Sequence, residues 1–258
     1  MLPSSALLYV STERVLYRGA LGQPRARRFA ASAWYLPVDG VLCVTTAQGE
    51  TSGSAVAVHV PSGTTHRVEA PSGQVVCFLA EAEFGDGGGS RAPALARSEA
   101  SGIDMATLDV SQLKAWRVQR CNIDAQLDRV VLGEALVRRH LDHRIADVVQ
   151  RVRREPALGW QAAEAADHCG LSASRFMHLF KAEMGMGWRD FRAWTRARAL
   201  LACVQDGDNL TQVALSLGYP DGTHFSHAIR QITGLRPRDI IAGSRDLTVW
   251  REQGVSPA

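Results

Sequence analysis

The feature that most constrains this chain is an internal repeat in its C-terminal half. One copy runs Ala166-Asp167-His168-Cys169-Gly170-Leu171-Ser172 and continues through Phe176, Leu179 and Phe180 to Gly185. The other runs Ala214-Leu215-Ser216-Leu217-Gly218-Tyr219-Pro220-Asp221 and continues through Phe225, Ala228 and Ile229 to Gly234. In each, Ala precedes Gly by four residues, an apolar residue follows the Gly, and Ser172 or Asp221 is placed to cap the next helix. Two helices crossing near a right angle need a small residue where they touch and a turn residue that tolerates positive φ. The repeat therefore predicts two helix-turn-helix units.

In the second helix of each unit the apolar residues recur at i, i+3 and i+4 and must face inward. That leaves Ser174, Arg175, Met177 and His178 outward in the first unit and Thr223, His224, Ser226 and His227 in the second. Such an outer face is what a recognition helix lays against base edges in the major groove, so these eight are the candidate base readers. Arg175 could fork onto guanine, and Met177 or Thr223 could touch a thymine methyl. Ser172, Lys181, Arg189, Arg230, Arg236 and Arg238 are the candidates for phosphate contacts, which set affinity and salt dependence without reading sequence. Residues 188–204, between the copies, predict a helix ~25 Å long. With the widths of the flanking units, that can hold two recognition helices near the ~34 Å of one DNA turn.

Charge agrees with a polyanion partner for the rear half alone. Residues 1–137 carry twelve basic and thirteen acidic side chains, whereas residues 138–258 carry seventeen and thirteen. The five cysteines (Cys43, Cys77, Cys121, Cys169, Cys203) are scattered, with no CxxC pair, which fits neither a zinc framework nor a disulfide scaffold and suggests a reducing cytosol. No run of eighteen apolar residues predicts a membrane span, and no cationic stretch leads into an apolar segment at the N-terminus. A cytoplasmic location without membrane contact is expected.

Two composition regimes divide the rest. Residues 32–84 are rich in Val, Thr and Gly, with short apolar runs such as Val41-Leu42-Cys43-Val44, Ala55-Val56-Ala57-Val58 and Val75-Val76-Cys77-Phe78-Leu79. Breaks at Asp39-Gly40, Gln48-Gly49, Pro61-Ser62-Gly63 and Pro71-Ser72-Gly73 give the spacing of an antiparallel sandwich or barrel. Asp86-Gly87-Gly88-Gly89-Ser90 reads as a surface loop. From residue 124 the period turns helical: Ile123, Leu127, Val130, Val131 and Leu136 lie on one stripe, with Asp128, Arg129, Arg138 and Arg139 mostly elsewhere. A helix over 142–154 follows, ended by Pro156 and Gly159. The expected fold class is α+β, with a β domain over 1–100, a helical connector over 101–141, and an all-α domain with two helix-turn-helix units over 142–245.

Residues 142–243 resemble the DNA-binding domain of AraC/XylS regulators. The matching stretches are Gly170-Leu171-Ser172, Leu179-Phe180-Lys181, Glu183-Met184-Gly185-Met186, Gly218-Tyr219, Phe225-Ser226 and Gly234-Leu235-Arg236-Pro237. Ile229 and Ile232 stand where the family usually has aromatics, and Gly222 weakens the start of the second recognition helix. The resemblance implies double-stranded DNA as partner, contact with RNA polymerase, and transcription activation in place of enzymatic activity. The 124–139 helix is then expected to form a homodimer through its apolar stripe, a monomer with the stripe packed internally being the competing arrangement.

Residues 58–68 resemble the strand-turn-strand of the cupin-like sensory domains of that family, which implies a small-molecule effector or partner at the β domain. A β domain that only dimerises or holds a protein partner is a further reading. The alternative from another class is a cupin-type metalloprotein with a helical appendage. Cupin enzymes hold a metal with a His-x-His pair, a Glu and a later His, but here His59 and His66 have no carboxylate at matching spacing. No metal or cofactor is therefore expected, and His66 is read as a hydrogen-bonded turn histidine. His168, Cys169 and His178 are placed too far around their helices to converge. Trp34, Tyr35, Phe78 and Phe84 are read as core.

Overall fold

A strand that is apolar on both sides must have both faces of its sheet covered. The computed structural model describes residues 6–21, 25–38, 41–53, 58–70, 74–84, 110–203, 210–233 and 247–251. Its strands are β1 (Ala6–Val10), β2 (Arg14–Gly19), β3 (Ala31–Pro37), β4 (Leu42–Thr46), β5 (Gly49–Gly53), β6 (Val58–Val60), β7 (His66–Glu69), β8 (Val75–Glu81) and β9 (Leu247–Arg251). They form a six-stranded sheet in the order β6-β3-β8-β2-β1-β9 and a three-stranded sheet in the order β5-β4-β7. Along β8, Val75, Cys77 and Leu79 face the space between the sheets with Leu42, Val44 and Val68. Val76, Phe78 and Ala80 face the other way. This period of two explains why the run Val75–Leu79 is apolar throughout.

The outer face of the large sheet is covered by helices α1 (Val110–Val118) and α2 (Ile123–Leu132), whose Leu113, Trp116, Leu127 and Val131 pack on Leu7, Tyr9, Leu16 and Phe78. Asn122 caps α2 by accepting from the Ala125 amide at 3.0 Å, and Gly133 ends it at φ 84°. The apolar stripe expected to dimerise is thus spent inside the chain, and the helix stops seven residues short of 139. Asp128, expected away from the stripe, is buried. Arg14 is an outward residue of β2 and so meets α2, where Asp128 takes its Nε and Nη2 at 2.8 and 2.9 Å. Beside it Asp124 accepts from Tyr9 Oη at 2.7 Å and Ser11 Oγ at 2.9 Å.

The helical domain comprises α3 (His143–Arg154), α4 (Ala162–His168), α5 (Ala173–Met184), α6 (Trp188–Cys203), α7 (Leu210–Ser216) and α8 (Gly222–Thr233). Phe176, Phe180, Trp188 and Phe191 form its aromatic centre, with Trp188 edge-on to both Phe176 and Phe180. The apolar core continues from the β domain into this one, where Phe29 meets Trp194 at 5.6 Å.

Ions reinforce that seam. Glu81 at the end of β8 and Glu83 in the following single turn of 3-10 helix (Ala82–Phe84) are buried against Arg153 of α3 and Arg198 of α6. Arg153 Nη2 donates to Glu81 Oε2 and Glu83 Oε2 at 2.8 Å each, and Arg198 Nη1 donates to Glu81 Oε1 at 2.7 Å. Trp194 Nε1 also donates to Glu81 Oε1, at 2.9 Å. Burial would raise the Glu81 carboxyl, but the two guanidiniums and the indole outweigh it and hold it below the ordinary glutamate range.

Two features depart from the sequence expectations, while the strand-turn-strand expected over 58–68 is present, its β6 pairing with β3 in one sheet and its β7 with β4 in the other. Strands β1 and β2 precede residue 32, because Ala6–Val10 is covered on both faces and so shows no alternation. The chain also returns after the helical domain as β9, which pairs in parallel with β1. Asp39-Gly40, Ala55 to Ala57, Pro71-Ser72-Gly73 and the Asp86–Ser90 loop lie outside the described residues.

Candidate nucleic-acid interface

The two repeats fold into the same turn by the same hydrogen bonds. In the first, Gly170 takes φ 65° and the Leu171 amide donates to Ala166 O at 2.9 Å. In the second, Gly218 takes φ 76° and the Tyr219 amide donates to Ala214 O at 3.0 Å. Both are the six-to-one bond of a glycine-closed helix end, and both alanines are buried at the crossing. The caps differ. Ser172 Oγ accepts from the Arg175 amide at 3.3 Å, which leaves its own proton out of the cap. Asp221 Oδ1 accepts from the amides of Thr223 and His224 at 2.7 and 2.8 Å, which is how α8 begins at Gly222 despite that residue's poor helix propensity.

On α5, Phe176, Phe180 and Met184 are buried, while Ser174, Arg175, Met177, His178 and Lys181 are exposed. On α8, Phe225, Ile229 and Ile232 are buried, while Thr223, His224, Ser226, His227 and Arg230 are exposed. The predicted outer faces are therefore open to solvent in both units. Among the described residues, none of Arg175, Lys181 and Arg230 is paired with a carboxylate. Arg189 is exposed in the first turn of α6. Arg236 and Arg238 lie outside the described residues.

His224 is exposed with one ring nitrogen engaged. Its Nδ1 is held by Asp221 Oδ2 at 2.8 Å, so the ring belongs to the cap. Together with Gln231 it also lines a cavity of about 420 Å³ bounded by α8, the first half of α6 and the β domain. Thr223, Ser226 and Arg230 lie on the stripe of α8 that does not border this cavity. Among the cavity residues, Arg196 and Phe29 were not singled out by sequence reading. The spacing Arg189, Arg192, Arg196 was a usable signal, because i, i+3, i+7 places three cations along one side of a helix.

In the β domain, His66 has both ring nitrogens engaged. Nδ1 lies 2.9 Å from Thr64 O and so carries the proton, leaving Nε2 to accept from Tyr35 Oη at 2.7 Å. Burial lowers its pKa to about 4. His59 stacks on Trp34 at 4.7 Å. His168 binds Asp147 at 2.6 Å, away from the exposed His178.

Against known proteins, the profile of a helix-turn-helix domain family matches residues 165–242. The arabinose operon regulatory protein of Escherichia coli (strain K12) is 27% identical over 110 residues, 41% of this chain and 37% of that protein. The invasion protein InvF of Salmonella typhi is 33% identical over 72 residues, 28% of this chain and 33% of that protein. The matched segment thus spans little more than a third of these relatives. Among solved structures, ToxT from Vibrio cholerae O395 superposes with TM-score 0.55 at 11% identity, covering 90% of this chain and 97% of that one. Unsaturated fatty acid-bound ToxT from strain SCE256 superposes with TM-score 0.56 at 12% identity, covering 89% and 95%.

A β domain joined to a double helix-turn-helix domain, in the ToxT-like arrangement, is the class the fold defines. Over residues 165–242 the chain carries a helix-turn-helix domain similar to that of AraC-type regulators.

Proposed function

We propose that the protein is a sequence-specific DNA-binding transcription regulator that presents α5 and α8 to successive major grooves. The observation that carries this is the pair of exposed recognition faces on identically closed turns, joined by α6, whose sixteen residues span ~24 Å. Arg175 is the principal base reader, with Ser174, Met177 and His178 beside it. In the second unit Thr223, Ser226 and His227 read bases, and Ser172, Lys181, Arg189 and Arg230 hold phosphates. Transcription activation through RNA polymerase and a cytoplasmic location follow from the family reading. A homodimer, which would double the contacts to a repeated operator, has to use a surface other than the α2 stripe. The fatty acid in one ToxT structure supports a small-molecule effector acting through the N-terminal domain here too.

The test is a titration of the full chain on DNA from around its own gene, across a salt series, with an unrelated duplex as competitor. Competitor-resistant binding with a steep salt slope is expected. Absence of binding even at low salt would end this reading.

A further inference from the structure

The segment between α3 and α4 touches both helix-turn-helix units. It leaves α3 at Glu155, whose amide donates to Arg151 O at 3.0 Å, and turns at once, the Leu158 amide donating to Glu155 O at 2.9 Å. Pro156 is buried in that turn, and its ring removes one backbone freedom. Trp160 ties the far end down, its ring 5.3 Å from the Arg151 guanidinium of α3 and 5.0 Å from the His168 ring of α4. Toward the second unit, Ala157 O lies 3.2 Å from where any residue but glycine would place a Cβ at position 218. Gly218 thus lets the second turn rest on this segment.

Arg192 fastens the same segment to α6. Its Nη2 donates to Gly159 O at 3.2 Å, and its guanidinium lies over the Trp188 ring at 6.0 Å. Trp188 in turn stands edge-on to Phe176 and Phe180 of α5. Among the described residues Arg192 forms no ion pair; Glu164 attracts it from α4, but that carboxylate takes the Gln161 amide at 2.6 Å in the helix cap. One run of contacts therefore leads from the first recognition helix through Trp188, Arg192 and residues 157–159 to the turn before the second.

We infer that Arg192 is a positioning residue: by holding this segment between the units it fixes α8 relative to α5, and so decides which half-site spacing the protein accepts. The inference rests on the DNA-binding reading above for its functional meaning. A joining helix sets how far apart two units lie better than how they turn about its axis, and a second contact beside it is what stops that turning. One extra base pair moves a half-site by ~3.4 Å and rotates it by roughly 35°. Two helices held in fixed register reject such a site, whereas two that can turn follow it. The competing role for a half-buried arginine in a basic domain is a DNA phosphate contact, but its donor is already given to Gly159 O.

The experiment compares the full chain with its Arg192→Ala variant in two ways. The first is a spin-label distance between nitroxides carried on unnatural ketone side chains at Ala182 of α5 and Gln212 of α7, both exposed and outside the proposed DNA contacts. A single narrow distribution is expected with Arg192 in place, and one about twice as wide without it. The second is titration on the operator from around the protein's own gene, and on that operator with one base pair inserted between its half-sites. Insertion should weaken the unsubstituted chain about tenfold or more and Arg192→Ala only about threefold or less. Both duplexes are read on one variant, so a general loss of folding cancels from the ratio. The inference is overturned if the distance distribution keeps its mean and width, or if the insertion penalty is unchanged. It is equally overturned if Arg192→Ala weakens both duplexes by one factor and lowers the salt slope by about one, the mark of a phosphate contact. Should Arg192→Ala not fold, Arg192→Met serves, because it keeps an apolar stem over Trp188 and removes only the donor. If neither duplex is bound, the regulator reading fails and the distance distribution still decides the role of Arg192. If DNA is bound and the variant rejects the insertion as strongly, the role of Arg192 fails alone.

Discussion

The two helix-turn-helix units share a turn but rest on different foundations. The first is held to the β domain from beneath: Arg153 of α3 and Trp194 and Arg198 of α6 converge on Glu81, and the C-terminal end of α5 is tied back by the Asp142 amide donating to Glu183 Oε2 at 2.9 Å. Arg139 adds a bond to Glu183 O from the connector, and its own amide donates to Glu83 O at 2.8 Å. The second unit packs on α6 and faces the β domain across the cavity. One unit is fixed, and the other is separated from the β domain by a cavity.

The largest effect should come from removing the fixed unit's anchor. Glu81→Ala leaves the buried guanidinium of Arg198 without its carboxylate and Arg153 with half its partners, and a cost of about 3–5 kcal/mol is expected. Urea unfolding measures it. A loss under ~1 kcal/mol would show that the ionic seam is not what fixes the first unit.

Next in size is a pH effect on the wall facing the second unit. His66 packs against Phe29 at 5.8 Å, and Phe29 lines the cavity. Its folded pKa of about 4 lies below the unfolded value near 6.5, so the unfolded chain binds the proton more readily. The stabilisation is therefore complete above pH 6.5 and is lost as pH falls through the window from 6.5 to 4, by up to about 3 kcal/mol. His66→Gln should flatten stability across that window. An equally steep slope in the variant would assign the titration elsewhere.

DNA binding sharpens the comparison on the exposed faces. Arg175→Ala should weaken specific binding by about 1–3 kcal/mol with the fold intact, whereas His224→Ala, whose ring serves the cap, should cost under about 0.5 kcal/mol of base discrimination. Equal losses on specific and unrelated duplexes would remove Arg175 as a base reader. A His224 effect matching that of Arg175 would put both units on the same footing.

What was legible in the sequence follows from range. The turns depend on residues within eight positions of one another, so Ala166, Gly170 and Ser172, and again Ala214, Gly218 and Asp221, could be read directly and the outer faces followed from them. Arg153 and Glu81 lie 72 positions apart and Arg198 and Glu81 117, and each alone looks like an ordinary surface charge. Asp128 was misplaced for the same reason, since only the sheet brings Arg14 to it. His224 was placed outward from helical spacing, and its bond to Asp221 is a side-chain contact that spacing alone does not register. Arg196 and Tyr219 come to share a cavity wall only when the fold sets α6 and the second turn beside the β domain.

The smallest expected difference isolates the turns from everything around them. Gly170 and Gly218 both hold positive φ, so an alanine at either should cost on the order of 1 kcal/mol in backbone strain. They differ in surroundings: a Cβ at Gly170 meets nothing within 4 Å, while one at Gly218 comes 3.2 Å from Ala157 O. That carbonyl belongs to the segment between α3 and α4, so the second turn is pressed against a backbone that must shift by a few tenths of an ångström. Gly218→Ala should therefore destabilise more than Gly170→Ala, by a margin under about 1 kcal/mol. Equal losses in the two variants would mean that this backbone yields freely, and that the second turn is no more tightly set than the first.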